Sequence, residues 1–142
     1  MMTFAYLTGR GQDHHGLFIE VVESRIRELI IPVLMNIEVD ETWYLKMNHD
    51  VRDAITEGKL ASAREHYVNA GYFENRQPRK IMVDQAWYVS VYPDVAAAIR
   101  FGNFQSAQLH FETEGFREGR LAFEGWNLHL SQMPSTKKTS IA

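Results

Sequence analysis

The chain has 142 residues, 45% of them hydrophobic and 23% charged, with a formal net charge of −3. That length and balance allow one sizeable core and argue against a wholly disordered chain. A near-neutral charge without a basic block argues against nucleic acid as a partner, and the lack of cysteine excludes disulfides, thiolate nucleophiles and cysteine zinc sites.

Residues 1–12 carry neither the basic start nor the apolar run of a secretory signal and are expected to form a flexible N-terminus. Residues 13–36 predict a longer amphipathic helix. Asp13 is a suitable cap, Phe18, Val22, Ile26, Leu29 and Val33 share one face, and Glu20, Glu23, Ser24 and Arg27 take the other. Pro32 is expected to disturb or end this helix, which reads as a cap on the rest of the fold or as a dimerisation element. Its apolar run is broken by Arg27, Glu28, Pro32 and Asn36, well short of the roughly 18 residues that cross a bilayer. No membrane span and a cytoplasmic location are expected.

The chain then repeats itself. Residues 39–76 align without a gap onto residues 83–120 at an offset of 44, with 15 of 38 positions identical. A self-match at such a period marks stacked supersecondary units, so the fold class is all-α, with two tandem three-helix repeats over residues 39–78 and 83–122. In each unit Asp40 or Asp84 is placed to cap a first helix through Trp43 and Tyr44 or Trp87 and Tyr88. A second helix starts near Asn48 or Tyr92, with Pro93 at a first-turn position and Asp50 or Asp94 at the positive helix end. It ends at Gly58 or Gly102. A third opens at Ser62 or Ser106, with Glu65 completing a capping box that Leu109 lacks, and Gly71 or Gly115 is expected to close it. Residues 123–142 are expected to form a partly disordered tail.

The residues that could carry chemistry recur in both copies. His66 and His110 have the proton affinity of acid–base groups, yet a catalytic site seldom needs the same residue twice, whereas a packing histidine recurs with its unit. Asp50 with Arg76 and Asp94 with Arg120 suit two-pronged ion pairs, for which Glu74 and Glu118 compete. His14 and His15 diverge on a helix and have no third ligand partner. No phosphate loop, nucleophile elbow, zinc helix or calcium loop is present. No catalytic residue, cofactor or metal is therefore expected. Trp43, Trp87 and Trp126 are the candidates for stacking on a ligand.

The second copy resembles a bacterial repeat of the pattern Asp-x-x-Tyr-Tyr-Leu, Asn-Pro-Asp-Val, His-Tyr, Gly-x-x-Glu-Gly-Arg. The matching positions are Asp84, Tyr88, Pro93, Asp94, Val95, His110, Phe111, Gly115, Glu118, Gly119 and Arg120; the first copy departs at His49 and Asn75. Such repeats accompany bacterial glycosyltransferases and some large secreted proteins as accessory modules. The resemblance implies a helper near polysaccharide synthesis or export and carries over no catalytic residue. The expected function is a protein-interaction or scaffold module that self-associates as a homodimer through the N-terminal helix and binds another protein. The alternative is a glycan-binding protein using exposed tryptophan or tyrosine, and an enzyme with a histidine site stands third. Specificity is expected where the copies differ: the N-terminal helix, Arg64-Glu65 against Gln108-Leu109, and the segment around Trp126.

Overall fold

The computed structural model describes residues 23–130, which are helical without a strand. The order is α1 (Glu23–Leu34), α2 (Glu41–Met47), α3 (His49–Thr56), α4 (Ala63–His66), α5 (Gln85–Val91), α6 (Pro93–Arg100) and α7 (Ala107–His110). Helices α4 and α7 run on into single π-helical turns, Tyr67–Gly71 and Phe111–Gly115. Helices α2 to α4 and α5 to α7 thus recur at the 44-residue offset of the sequence.

Local chemistry starts each helix. The Asp40 carboxylate accepts from the Trp43 amide at 2.9 Å and that of Asp84 from the Trp87 amide at 3.1 Å. The Ser62 and Ser106 hydroxyls accept from Glu65 and Leu109 amides at 3.0 and 3.1 Å. Loss of one such cap costs about 1 kcal/mol. Glu65 does not complete the expected reciprocal box; its carboxylate accepts from the Ala61 amide, at 2.7 Å.

The expected ends hold at Gly58 and Gly102, which take φ of 73° and 80°. They do not hold at Gly71 and Gly115. There the helix continues through a widened turn, with Tyr72 and Phe116 amides donating five residues back to Tyr67 and Phe111 carbonyls, each at 2.9 Å. The left-handed residues that end it are Asn75, φ 56°, and Gly119, φ 75°. The Arg76 and Arg120 amides close the turn on Gly71 and Gly115 carbonyls at 2.9 Å. Asparagine replaces glycine there because its short polar side chain tolerates the left-handed region.

Each unit then fastens on itself. The Asp40 amide donates to the Pro78 carbonyl at 3.1 Å and the Asp84 amide to the Ala122 carbonyl at 3.0 Å. Arg64 donates to Met35 and Ile37 carbonyls at 3.1 and 3.0 Å, holding the chain that enters the first unit. Gln108 does the same at the second, donating to the Ile81 carbonyl at 2.8 Å and accepting from the Val83 amide at 2.9 Å. The Arg64/Gln108 difference is therefore one structural task done by two side chains.

The core joins Leu34 and Ile37, the tyrosines and phenylalanines of both units, Ile81, and Phe123, Trp126 and Leu128. Residues 123–130, expected to lie in a tail, instead cover the second unit. Trp126 is 2% exposed, packs edge-on to Phe111 with ring centroids 5.8 Å apart, and donates its indole N–H to the Leu130 carbonyl at 2.8 Å. Residues 131–142 lie outside the described residues.

Arg79, 4% exposed, joins the two ends of this arrangement, donating to the Glu38 carbonyl at 2.8 Å and the Leu128 carbonyl at 2.6 Å. Burial lowers its pKa.

Helix α1 corrects the sequence reading twice. It passes through Pro32 to Leu34, anchored by the fully buried Leu34 and Ile37. Its inward face is centred on Arg27, expected on the polar side. The Arg27 guanidinium lies 4.0 Å from the centre of the Phe73 ring and donates to the Asn69 carbonyl at 3.2 Å. Ile26, Ile30 and Ile31 pack beside it, so α1 covers the first unit's π-helical end.

Candidate functional site

Two side-chain groups recur, one per unit. In the first, the Tyr44 hydroxyl meets His66 Nδ1 at 3.0 Å and the Tyr88 hydroxyl meets His110 Nδ1 at 3.1 Å. Burial holds the tyrosine pKa values above their ordinary range. Burial first, and then the charge of Arg76 or Arg120, lowers those of the histidines. The protonated phenol can then donate to an unprotonated Nδ1. The hydroxyl also lies where a Cβ on Gly71 or Gly115 would sit; the glycines recur because this approach leaves no room for a methyl group.

In the second group, Arg76 donates to both Asp50 oxygens at 2.9 and 2.8 Å, and Arg120 to both Asp94 oxygens at 2.9 and 2.6 Å. Glu74 and Glu118 do not compete. They accept from the remaining Nε–H of the same guanidinium at 2.6 and 2.5 Å. The arginine hydrogen bonds hold the Asp50 and Asp94 carboxyls below their ordinary pKa.

The copies part company beside this group. In the second unit the Tyr92 ring is edge-on to Trp87, with centroids 6.3 Å apart, and lies 4.8 Å from the Arg120 guanidinium carbon. Its hydroxyl accepts from the Leu121 amide at 2.9 Å. The first unit has Asn48 in that place and Gln77 in place of Leu121. Asn48 accepts from Arg76 at 3.0 Å but is too short to reach Trp43 as Tyr92 reaches Trp87. Between the units this leaves a cleft of about 100 Å³ lined by Trp43, Met47, Asn48, Asn75, Arg76, Gln77, Glu112, Phe116 and Arg117. One water needs only about 10–15 Å³.

The tryptophan candidates therefore separate. Trp43 lines the cleft, Trp87 packs on the core, and Trp126 is sealed inside it and offers no ligand face. The predicted interface stripe separates as well. Ile26 turns into the chain's own core, Leu29 is 76% and Val33 43% exposed, and Phe18 and Val22 lie outside the described residues, as do His14 and His15.

A shallow apolar groove missed in the sequence runs between α5 and α6, lined by Gln85, Ala86, Val89, Ala96, Ile99 and Arg100. Phe101, 73% exposed, follows directly. The only sequence sign was the run of small residues Ala96, Ala97 and Ala98, where the first unit has Arg52, Asp53 and Ala54.

Among the described residues no three histidine or acidic side chains gather as a metal site would need, and no helix is long and apolar enough to cross a membrane. The chain matches no known protein family, curated protein or solved structure.

Proposed function

We propose that this protein is a non-catalytic protein-interaction module whose contact surface is the α5–α6 groove. The observation that carries this reading is a division of labour. The recurring titratable groups are engaged in the framework of each unit, while an apolar groove lies on the second unit, followed in the chain by the exposed Phe101. At the equivalent positions the first unit carries Thr42 and Arg52 in place of Ala86 and Ala96. Small residues flanked by Val89 and Ile99 suit an apolar helical segment laid into the groove, with Arg100 available to an acidic residue beside it. A second copy can supply such a segment from α1, where Leu29 and Val33 face outward. The resemblance of the second copy to repeats that accompany glycosyltransferases is in keeping with a helper role beside polysaccharide synthesis or export.

Ala96→Arg, which installs the first unit's own residue, tests the reading. Light scattering across a concentration series and affinity capture with wild-type and variant baits are to be compared. Loss of self-association, or of a specific captured protein, supports the groove. A wild type that stays monomeric and captures the same proteins as the variant overturns it.

A further inference from the structure

We infer that the cleft between the two units is a binding site for one uncharged sugar ring, separate from the apolar groove. Three features point to a ligand. Gln77 is 8% exposed, and its Oε1 is buried without a hydrogen-bond partner at the cleft wall, while its Nε2 makes only a 3.5 Å contact with the Glu112 carbonyl. A buried acceptor left unpaired carries a desolvation cost that an incoming hydroxyl donor removes. Trp43 is half-buried and, unlike Trp87, has no aromatic neighbour against its ring among the described residues and no place among the side chains packed on the core. Arg117 is exposed and forms no ion pair among the described residues.

The chemistry of the walls selects the ligand class. Trp43, Met47 and Phe116 supply apolar surface; Asn48, Asn75, Gln77 and Arg117 supply amide and guanidinium groups. A pyranose has the matching form, with C–H groups on its faces and hydroxyls around its rim that both donate and accept. Charge argues against an ionic ligand. Arg76 is already engaged by Asp50 and Glu74, and the cleft's two other charged side chains, Glu112 and Arg117, are of opposite sign, so the lining as a whole favours neither an anion nor a cation. The cleft is not the edge of a strand, so an extended peptide gains no ladder of backbone hydrogen bonds.

The second unit supplies the control. Asn48→Tyr and Gln77→Leu install residues that already fold at the equivalent positions, with Tyr92 closing the space over its arginine. Calorimetric titrations would use cellotetraose, maltotetraose and mannotetraose, with tetragalacturonate and chitosan tetramer as the anionic and cationic arms. Binding of at least one neutral oligomer is expected at millimolar concentration or below. It should weaken at least about tenfold in Asn48→Tyr and in Trp43→Ala, without loss of helicity by circular dichroism, and be unchanged in Ala96→Arg. Three results would overturn the proposal: no heat with any neutral oligomer, equal or tighter binding of a charged one, or neutral-oligomer binding that survives Asn48→Tyr. Should Asn48→Tyr fail to fold, Gln77→Leu gives the same reading.

Discussion

Trp43 and Trp87 stand at the same place in two units whose caps, glycines, Tyr–His pairs and Arg–Asp pairs coincide, yet one lines a cleft and the other is packed. Two things differ: the neighbour five residues on, and the following unit, whose Glu112, Phe116 and Arg117 form the far wall of the Trp43 cleft. Tyr92 fills the space beside Trp87 and supplies the hydroxyl that receives the next segment's amide, whereas Asn48 stays with Arg76 and leaves the side of Trp43 open. Duplication preserved the framework and left its edges free to diverge. Residues shared by the units report on how a unit holds together; residues they do not share report on what the molecule presents.

That comparison can be broken most severely at its shared parts. Gly71→Ala and Gly115→Ala each drive a methyl group into a tyrosine hydroxyl, and each should cost about 2–3 kcal/mol in urea unfolding. Tyr44→Phe and Tyr88→Phe remove the obstructing oxygen and should recover part of that loss in the matching unit only. Failure of that recovery would mean that the glycines serve some other end.

Next in size are Arg76→Lys and Arg120→Lys. A single ammonium cannot reproduce the two-pronged bond to aspartate and the Nε bond to glutamate, and a loss of about 1–2 kcal/mol in the same assay is expected. Similar values for the two would show that the Asn48 bond in one unit and the Tyr92 ring in the other support the arginine equally.

Acidification should act in two windows. The histidine pKa values lie below the ordinary 6.5, so the unfolded chain takes up their protons first, and stability falls as the pH drops below about 6.5. The aspartate values lie below the ordinary 3.8, so their contribution is present above that pH and is lost as the pH falls further. Melting temperatures across the acid range, compared for wild type, His66→Gln and His110→Gln, should show the first step reduced in each variant.

The smallest effect sharpens the comparison at the helix ends. Asn75→Gly gives the first unit the residue of the second at a left-handed position and should stabilise by less than about 1 kcal/mol, while Gly119→Asn should do the reverse.

What the sequence disclosed was local or repeated. The caps at Asp40, Asp84, Ser62 and Ser106 lie three residues from the amides they satisfy, and the Arg–Asp pairs appear twice at one spacing, so pattern alone exposed them. Arg27, Arg79 and Trp126 escaped because each serves a contact made once. Arg27 broke the apolar period yet faces inward on Phe73, Arg79 bridges carbonyls ninety positions apart in the chain, at 38 and 128, and Trp126 lies in a short irregular segment whose composition resembles a loop. The Asn48/Tyr92 and Gln77/Leu121 differences were visible in the alignment, but only the fold shows that they border one space.

The amide bonds from Asp40 to Pro78 and from Asp84 to Ala122 have a consequence for how such a chain lengthens. These closures, the Tyr–His pairs and the Arg–Asp pairs each begin and end inside one unit. A further 44-residue copy inserted near residue 82 would bring its own set complete and leave these intact; the bonds that cross that point, from Arg79 to Leu128 and from Gln77 to Glu112, would have to be remade against the new unit. Growth by whole units is therefore the easy genetic path for this architecture, and the insertion of half a unit the hard one. The new junction would inherit a choice at one position: tyrosine to close another cleft, or asparagine to open it.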